Sequence, residues 1–132
     1  MDLGLEGKTA WVGGSSKGLG RACAEALARE GAKVVITSRN GDELEIAVQE
    51  MRSLGFDVAG VPVDLSSQQT VSKAMSQIVE DLGGIDIAVI NSGGPVAGKF
   101  MELSNHEWDD WYYGSLGYVR DICKILLPSM VE

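Results

Sequence analysis

Gly14-Ser15-Ser16-Lys17-Gly18-Leu19-Gly20 stands between a short apolar run, Thr9-Ala10-Trp11-Val12, and a stretch of helical period from Leu19 to Arg29. A strand that turns through glycines directly into a helix brings unpaired N–H groups and the positive end of the helix dipole to one point. Glycine leaves that point open to a phosphate, because it has no side chain to block the approach. The turn therefore predicts a nucleotide-binding βα unit. Its spacing, G-x-x-x-G-x-G, matches neither G-x-G-x-x-G nor the G-x-x-x-x-G-K-[ST] loop of ATP-binding proteins.

The rest of the chain repeats the unit. Short β-branched or apolar runs alternate with longer stretches of helical period, the pattern of a parallel sheet built from βαβ crossovers. The first strand is read at Thr9–Gly13, and its helix carries Leu19, Cys23, Ala26 and Leu27 on one face, closed by Gly31. A second strand, Lys33–Thr37, leads to a helix with Leu44, Ala47, Val48, Met51 and Leu54 as its buried stripe, stopped by Gly55. A third, Asp57–Val63, runs through Asp64-Leu65 to Ser66 or Ser67 as cap of a helix that buries Val71, Ala74, Met75, Ile78 and Leu82. Gly83-Gly84 ends that helix, and the fourth strand, Ile85–Ile90, enters the loop Asn91-Ser92-Gly93-Gly94-Pro95. The last helix opens on the capping box Ser104-Asn105-His106-Glu107 and is expected to reach about Leu126, ahead of Pro128. With no repeat or linker, the 132 residues read as one domain.

Charge and composition narrow the partners. Eleven basic against 19 acidic residues give a net charge of -8, which argues against nucleic acid and against an anionic membrane surface. The two cysteines, Cys23 and Cys123, lack metal or redox spacing and read as packed thiols of a reducing compartment. The N-terminus has no basic-then-apolar leader and no run approaches a membrane span, so a cytoplasmic protein is expected. His106, the single histidine, reads as a surface residue, and no metal site is expected.

The strand-turn-helix opening with G-x-x-x-G-x-G, Asp64 after the third strand and Asn91-Ser92-Gly93-Gly94 after the fourth together resemble the short-chain dehydrogenase/reductase family, and in particular its 3-oxoacyl-ACP-reductase-like members. The family loop usually reads T-G-x-x-x-G-x-G, with N-N-A-G after the fourth strand, so Gly13 and Ser92 are departures. The resemblance covers essentially the whole chain. It implies an α/β fold: the N-terminal half of a doubly wound, Rossmann-like parallel sheet of strand order 3-2-1-4, apparently truncated after the fifth helix. It further implies that Gly14, Ser16, Lys17, Gly18, Leu19, Gly20, Ser38, Arg39, Asp64, Leu65, Asn91, Ser92 and Gly93 line a dinucleotide site.

Cofactor preference is read from charge. An NAD enzyme places Asp or Glu at the end of the second strand to hold the ribose 2′-hydroxyl, and that carboxylate repels a 2′-phosphate. Here the position carries Ser38-Arg39, and Lys17 adds a cation from the neighbouring turn, so NADP is expected over NAD.

For catalysis the resemblance implies a tyrosine that donates a proton, a lysine four residues later, a preceding serine and an asparagine on the fifth helix. Tyr112, Tyr113 and Tyr118 are followed at that spacing by Leu116, Gly117 and Ile122, so they read as packing residues. Ser115 holds the asparagine position and is the one candidate catalytic residue. The expected function is the cofactor-binding part of an NADP-dependent oxidoreductase that moves hydride to or from a small carbonyl or alcohol, inactive as these residues alone. The alternative is a divergent, non-catalytic nucleotide-binding or protein-interaction module. A tyrosine-lysine pair encoded downstream of Glu132 discriminates between them. Trp111, Tyr118, Ile122, Ile125 and Leu126 on the last helix are expected to face a missing second half of the sheet. The resemblance implies a homo-oligomer through that helix, with the edge of the fourth strand as a second contact surface and Trp108 and Trp111 packed or at a subunit contact.

Overall fold

The computed structural model describes residues 1–94 and 96–132. Pro95, which closes the predicted glycine loop, lies outside the described residues. The chain alternates as β1 (Thr9–Val12), α1 (Gly18–Arg29), β2 (Lys33–Ser38), α2 (Gly41–Ser53), β3 (Val58–Pro62), α3 (Gln68–Leu82) and β4 (Ile87–Val89). A long final helix follows in three parts: α4 (Asn105–Tyr112), a π-helical turn (Tyr113–Gly117) and α5 (Tyr118–Met130). The strands form one parallel sheet of order β3-β2-β1-β4, the doubly wound arrangement expected from the sequence.

Strand periodicity sorts the core into two layers. Ala10, Val12, Val34 and Ile36 point to the side covered by α1 and α2, where they meet Ala24, Ala28, Leu44, Ala47, Val48 and Met51. Trp11 and Val35 point the other way, onto Val71, Met75 and Ile78 of α3 and Tyr118, Ile122 and Leu126 of α5. Both faces of β1 and β2 are thereby dry, which is why these strands read as continuous apolar runs instead of alternating ones. Pro62 fits because β3 is an edge strand.

Several expectations are corrected. The buried face of α1 is Gly20, Ala24 and Ala28, while Leu19, Cys23 and Ala26 are exposed and Leu27 is half-buried. The helix lies so close to the sheet that only small residues fit, so its apolar stripe is set by size and not by hydrophobicity. Cys23 is accordingly not a packed thiol, and Cys123 is only partly buried. Leu54 is exposed beyond the end of α2, and β4 is shorter than Ile85–Ile90. Pro128 does not end the last helix, which runs on to Met130. A proline there forfeits only one hydrogen bond in a final turn whose carbonyls are partly unpartnered in any helix. Tyr118, Ile122 and Leu126 do not wait for a missing second half of the sheet: they are buried against α3 and the strands of their own chain.

The closeness of α1 to the glycine turn is measurable. A Cβ on Gly20 would sit 2.3 Å from the Gly14 carbonyl oxygen and 2.9 Å from Asn91 Nδ2, whereas one on Gly41 would meet nothing within 4 Å. Gly20→Ala should therefore cost about 1–3 kcal/mol or more, through forced separation of helix and strand. Gly41→Ala should be neutral or stabilising by up to about 1 kcal/mol. Urea denaturation midpoints at constant m-value check the contrast.

Candidate cofactor site

In a parallel sheet every strand points the same way, so the segments that follow the strands gather along one edge. The glycine turn follows β1, Ser38-Arg39 end β2, Asp64-Leu65 follow β3 and Asn91-Ser92-Gly93 follow β4. The sequence-predicted set is thus assembled at the carboxyl edge of the sheet, with Ser115 carried by the π-helical turn.

Hydroxyl groups hold the turn in place. The buried Ser15 hydroxyl donates to the Val12 carbonyl at 2.6 Å and accepts from the Thr37 N–H at 3.1 Å, while the Ser15 N–H donates to the Thr37 carbonyl at 2.9 Å. Beside it the Ser16 and Ser38 hydroxyls meet at 3.1 Å. From the other flank, Asn91 Nδ2 donates to both the Gly13 and Gly14 carbonyls at 3.2 Å. Ser15 and Thr37 were not singled out from the sequence, since a serine inside a glycine loop carries no signal that it will be a strut rather than a ligand.

Gly13, where the family has threonine, has a local cause. A Cβ there would lie 2.6 Å from the Asn91 carbonyl oxygen and 3.0 Å from the Trp11 ring. The Asn91 carbonyl and, behind it, the ring of Trp11 leave no room for a side chain just past the end of β1.

The N-terminus of α1 opens onto this edge. Lys17 holds the N-cap position in extended conformation and makes no side-chain cap, in contrast to Asn40 of α2, Ser67 of α3 and Ser104 of α4. Uncapped N–H groups, the dipole and the open space around Gly18 suit an anionic oxygen. Lys17 Nζ lies 3.3 Å from Glu43 Oε2 on the exposed surface. Asp64 is held below the usual carboxylate range by the Ser66 hydroxyl and N–H, with the Arg39 charge adding to the effect.

The fourth-strand end is tied to the final helix. Ser92 Oγ donates to the Gly114 carbonyl in the π-helical turn at 3.2 Å. Burial raises the Tyr118 phenol above its ordinary range. Tyr113 donates to Asp121 at 3.2 Å, and half-burial with that bond pushes it up to about 12. Such a phenol is a poor acid near neutrality, in keeping with a packing role. His106 pairs on the surface with Asp110 at 3.4 Å.

Trp108 meets Phe100 at a tilt and Trp111 edge-on, each at 5.5 Å between ring centres, and open concavities of about 560 and 280 Å³ flank it. Among the described residues no helix is long and apolar enough to cross a membrane.

The model of the short chain dehydrogenase family matches residues 8–132, and the chain belongs to that family. Among its relatives, the 3-oxoacyl-[acyl-carrier-protein] reductase FabG of Aquifex aeolicus is 35% identical over 83% of this chain and 45% of the relative. The enzyme of the same name from Vibrio cholerae is 32% identical over 98% of this chain and 52% of the relative. The chain thus spans about half the length of these curated relatives. Among solved structures, L-sorbose reductase of Gluconobacter frateurii complexed with NADPH and L-sorbose superposes with TM-score 0.91 at 32% identity, over 98% of this chain and 50% of that one. A metagenomic short-chain oxidoreductase in complex with NADP gives 0.88 at 28% identity, over 96% of this chain and 57% of that one.

The Tyr113 environment makes a spectroscopic prediction. Its folded pKa, about 12, lies above the ordinary tyrosine value near ~10. The stability this contributes is therefore complete below pH ~10 and is lost as pH rises through 12. Absorbance titration at the tyrosinate band should show a late transition that Tyr113→Phe reduces, with buried Tyr118 supplying the remainder. A Tyr113 transition at the ordinary value would contradict the Asp121 bond.

Proposed function

We propose that this chain is the cofactor-binding part of an NADP-dependent oxidoreductase that transfers hydride to or from a small carbonyl or alcohol. The observation that carries the reading is the pairing of an uncapped α1 N-terminus with two cations, Lys17 and Arg39, at a strand end that lacks a carboxylate. The pyrophosphate would lie against the N–H groups of Gly14–Gly20, where Gly18 leaves open space. Lys17 and Arg39 would hold the 2′-phosphate, and Arg39 presents the planar fork that suits it. Ser38 would neighbour the ribose, and Asp64-Leu65 the adenine. Asn91, Ser92 and Gly93 would border the nicotinamide half. When bound, the cofactor supplies or accepts the hydride. Structures of relatives holding NADPH or NADP support the choice.

Within this chain, Ser115 is the residue proposed to face the reacting end, on the helical turn that Ser92 ties to β4. A second reading, a nucleotide-binding or protein-interaction module without chemistry, is favoured by one observation: no tyrosine here has lysine four residues on. These 132 residues should bind cofactor without turning it over under either reading. Carbonyl-dependent NADPH oxidation by a longer chain that carries a tyrosine-lysine pair supports the first reading, and cofactor binding with no turnover in such a longer chain supports the second. We also propose a cytoplasmic homo-oligomer assembled through the last helix. The outer side of that helix, where Tyr112, Leu116 and Leu127 are exposed, supports it.

NADPH should bind at least about tenfold more tightly than NADH, since a charge-assisted contact is worth about 1.5–3 kcal/mol. Arg39→Asp should reverse the order, because it replaces a phosphate partner by a ribose-hydroxyl partner. Fluorescence titration with both cofactors decides. Equal affinities before and after the substitution would defeat the NADP assignment.

A further inference from the structure

The cation proposed for the 2′-phosphate is already occupied. The Ser16–Ser38 hydroxyl contact of 3.1 Å draws the glycine turn to the end of β2, so Lys17 and Arg39 each follow one of the two residues in contact. Glu43, the third residue of α2, brings a carboxylate to Lys17. Its N–H donates to Asn40 Oδ1 at 3.2 Å, which fixes its backbone, and its carboxylate reaches Lys17 Nζ at 3.3 Å. A carboxylate and a phosphate monoester present the same chemistry to an ammonium group: anionic oxygens at hydrogen-bond distance.

We infer that Glu43 is an internal competitor for the 2′-phosphate of NADP(H), a specificity-determining residue that narrows the discrimination Lys17 and Arg39 provide. The inference rests on the NADP reading above. With side-chain exposures of 79% and 45%, the Lys17–Glu43 pair is a surface ion pair, worth about 0–1 kcal/mol and readily exchanged for a phosphate dianion. Exchange leaves the Glu43 carboxylate near the dianion, and their repulsion is only partly screened by salt. NADH has no phosphate to displace it. Its 2′-hydroxyl is a hydrogen-bond donor, which a carboxylate accepts. One side chain therefore opposes NADPH and does not oppose NADH.

Glu43→Gln keeps the size and the helix position while removing the charge. The experiment measures dissociation constants of NADPH and NADH for the unmodified protein, Glu43→Gln, the charge-matched surface control Glu80→Gln, and Glu43→Gln in a Lys17→Met background. The NADH-to-NADPH ratio of dissociation constants should rise about two- to fivefold in Glu43→Gln. It should stay put in Glu80→Gln, and the Glu43 effect should shrink when Lys17 is absent. A ratio that is unchanged or falls in Glu43→Gln, or that rises equally in Glu80→Gln, overturns the inference. An unmodified protein that binds no NADPH, or prefers NADH, refutes the cofactor reading and the inference together.

Discussion

The contact between α1 and the glycine turn governs the rest of the molecule. Because Gly20 lies against the Gly14 carbonyl with no room for a methyl group, the helix axis is pressed onto the end of β1 and its N–H groups open at the sheet edge. The same closeness selects Gly20, Ala24 and Ala28 as the inner face of α1 and sends Leu19 and Cys23 outward. It also requires the turn to be held rigidly, which Ser15, Thr37 and Asn91 do through buried or half-buried hydrogen bonds. A buried hydroxyl left unpaired would cost about 1–3 kcal/mol, so these struts resist any drift of the turn from β2.

On the opposite face of the sheet, Trp11 has an equivalent influence. Its ring fills the space between β1 and the α3–α5 layer, joining Tyr118 and Ile122 in one cluster. Its bulk also leaves no room for a side chain on Gly13. The unusual residue of the glycine loop is thus confined from two sides, most tightly by the Asn91 carbonyl and next by the Trp11 ring. The Trp11 indole N–H is buried with no protein partner among the described residues. The Ser92 hydroxyl then ties the end of β4 to the final helix through the Gly114 carbonyl.

Strand order, element order and the gathering of Gly14–Gly20, Ser38-Arg39, Asp64 and Asn91 at one edge were legible from apolar periodicity, glycine spacing and family resemblance. The inner face of α1 was not, because periodicity scores hydrophobicity while close packing here selects small size. Nor was the burial of Tyr118, Ile122 and Leu126. An apolar stripe on a last helix fits the strands present and a missing second half of the sheet equally well, and only the position of α3 decides. Lys17 was legible as a cation but its pairing with Glu43 was not, since the two are 26 positions apart along the chain. The π-helical turn left no pattern in Tyr113–Gly117 that distinguishes it from ordinary helix.

The central claim is that the glycine turn and the strand ends around it form one seat for a dinucleotide. Backbone amide chemical shifts of the labelled protein, followed during addition of NADPH, test it residue by residue. The account predicts that the largest perturbations fall on Gly14–Gly20, Ser38-Arg39, Asp64-Leu65 and Asn91–Gly93. Perturbations confined to the aromatic group around Trp108, or none at saturating NADPH, would contradict it.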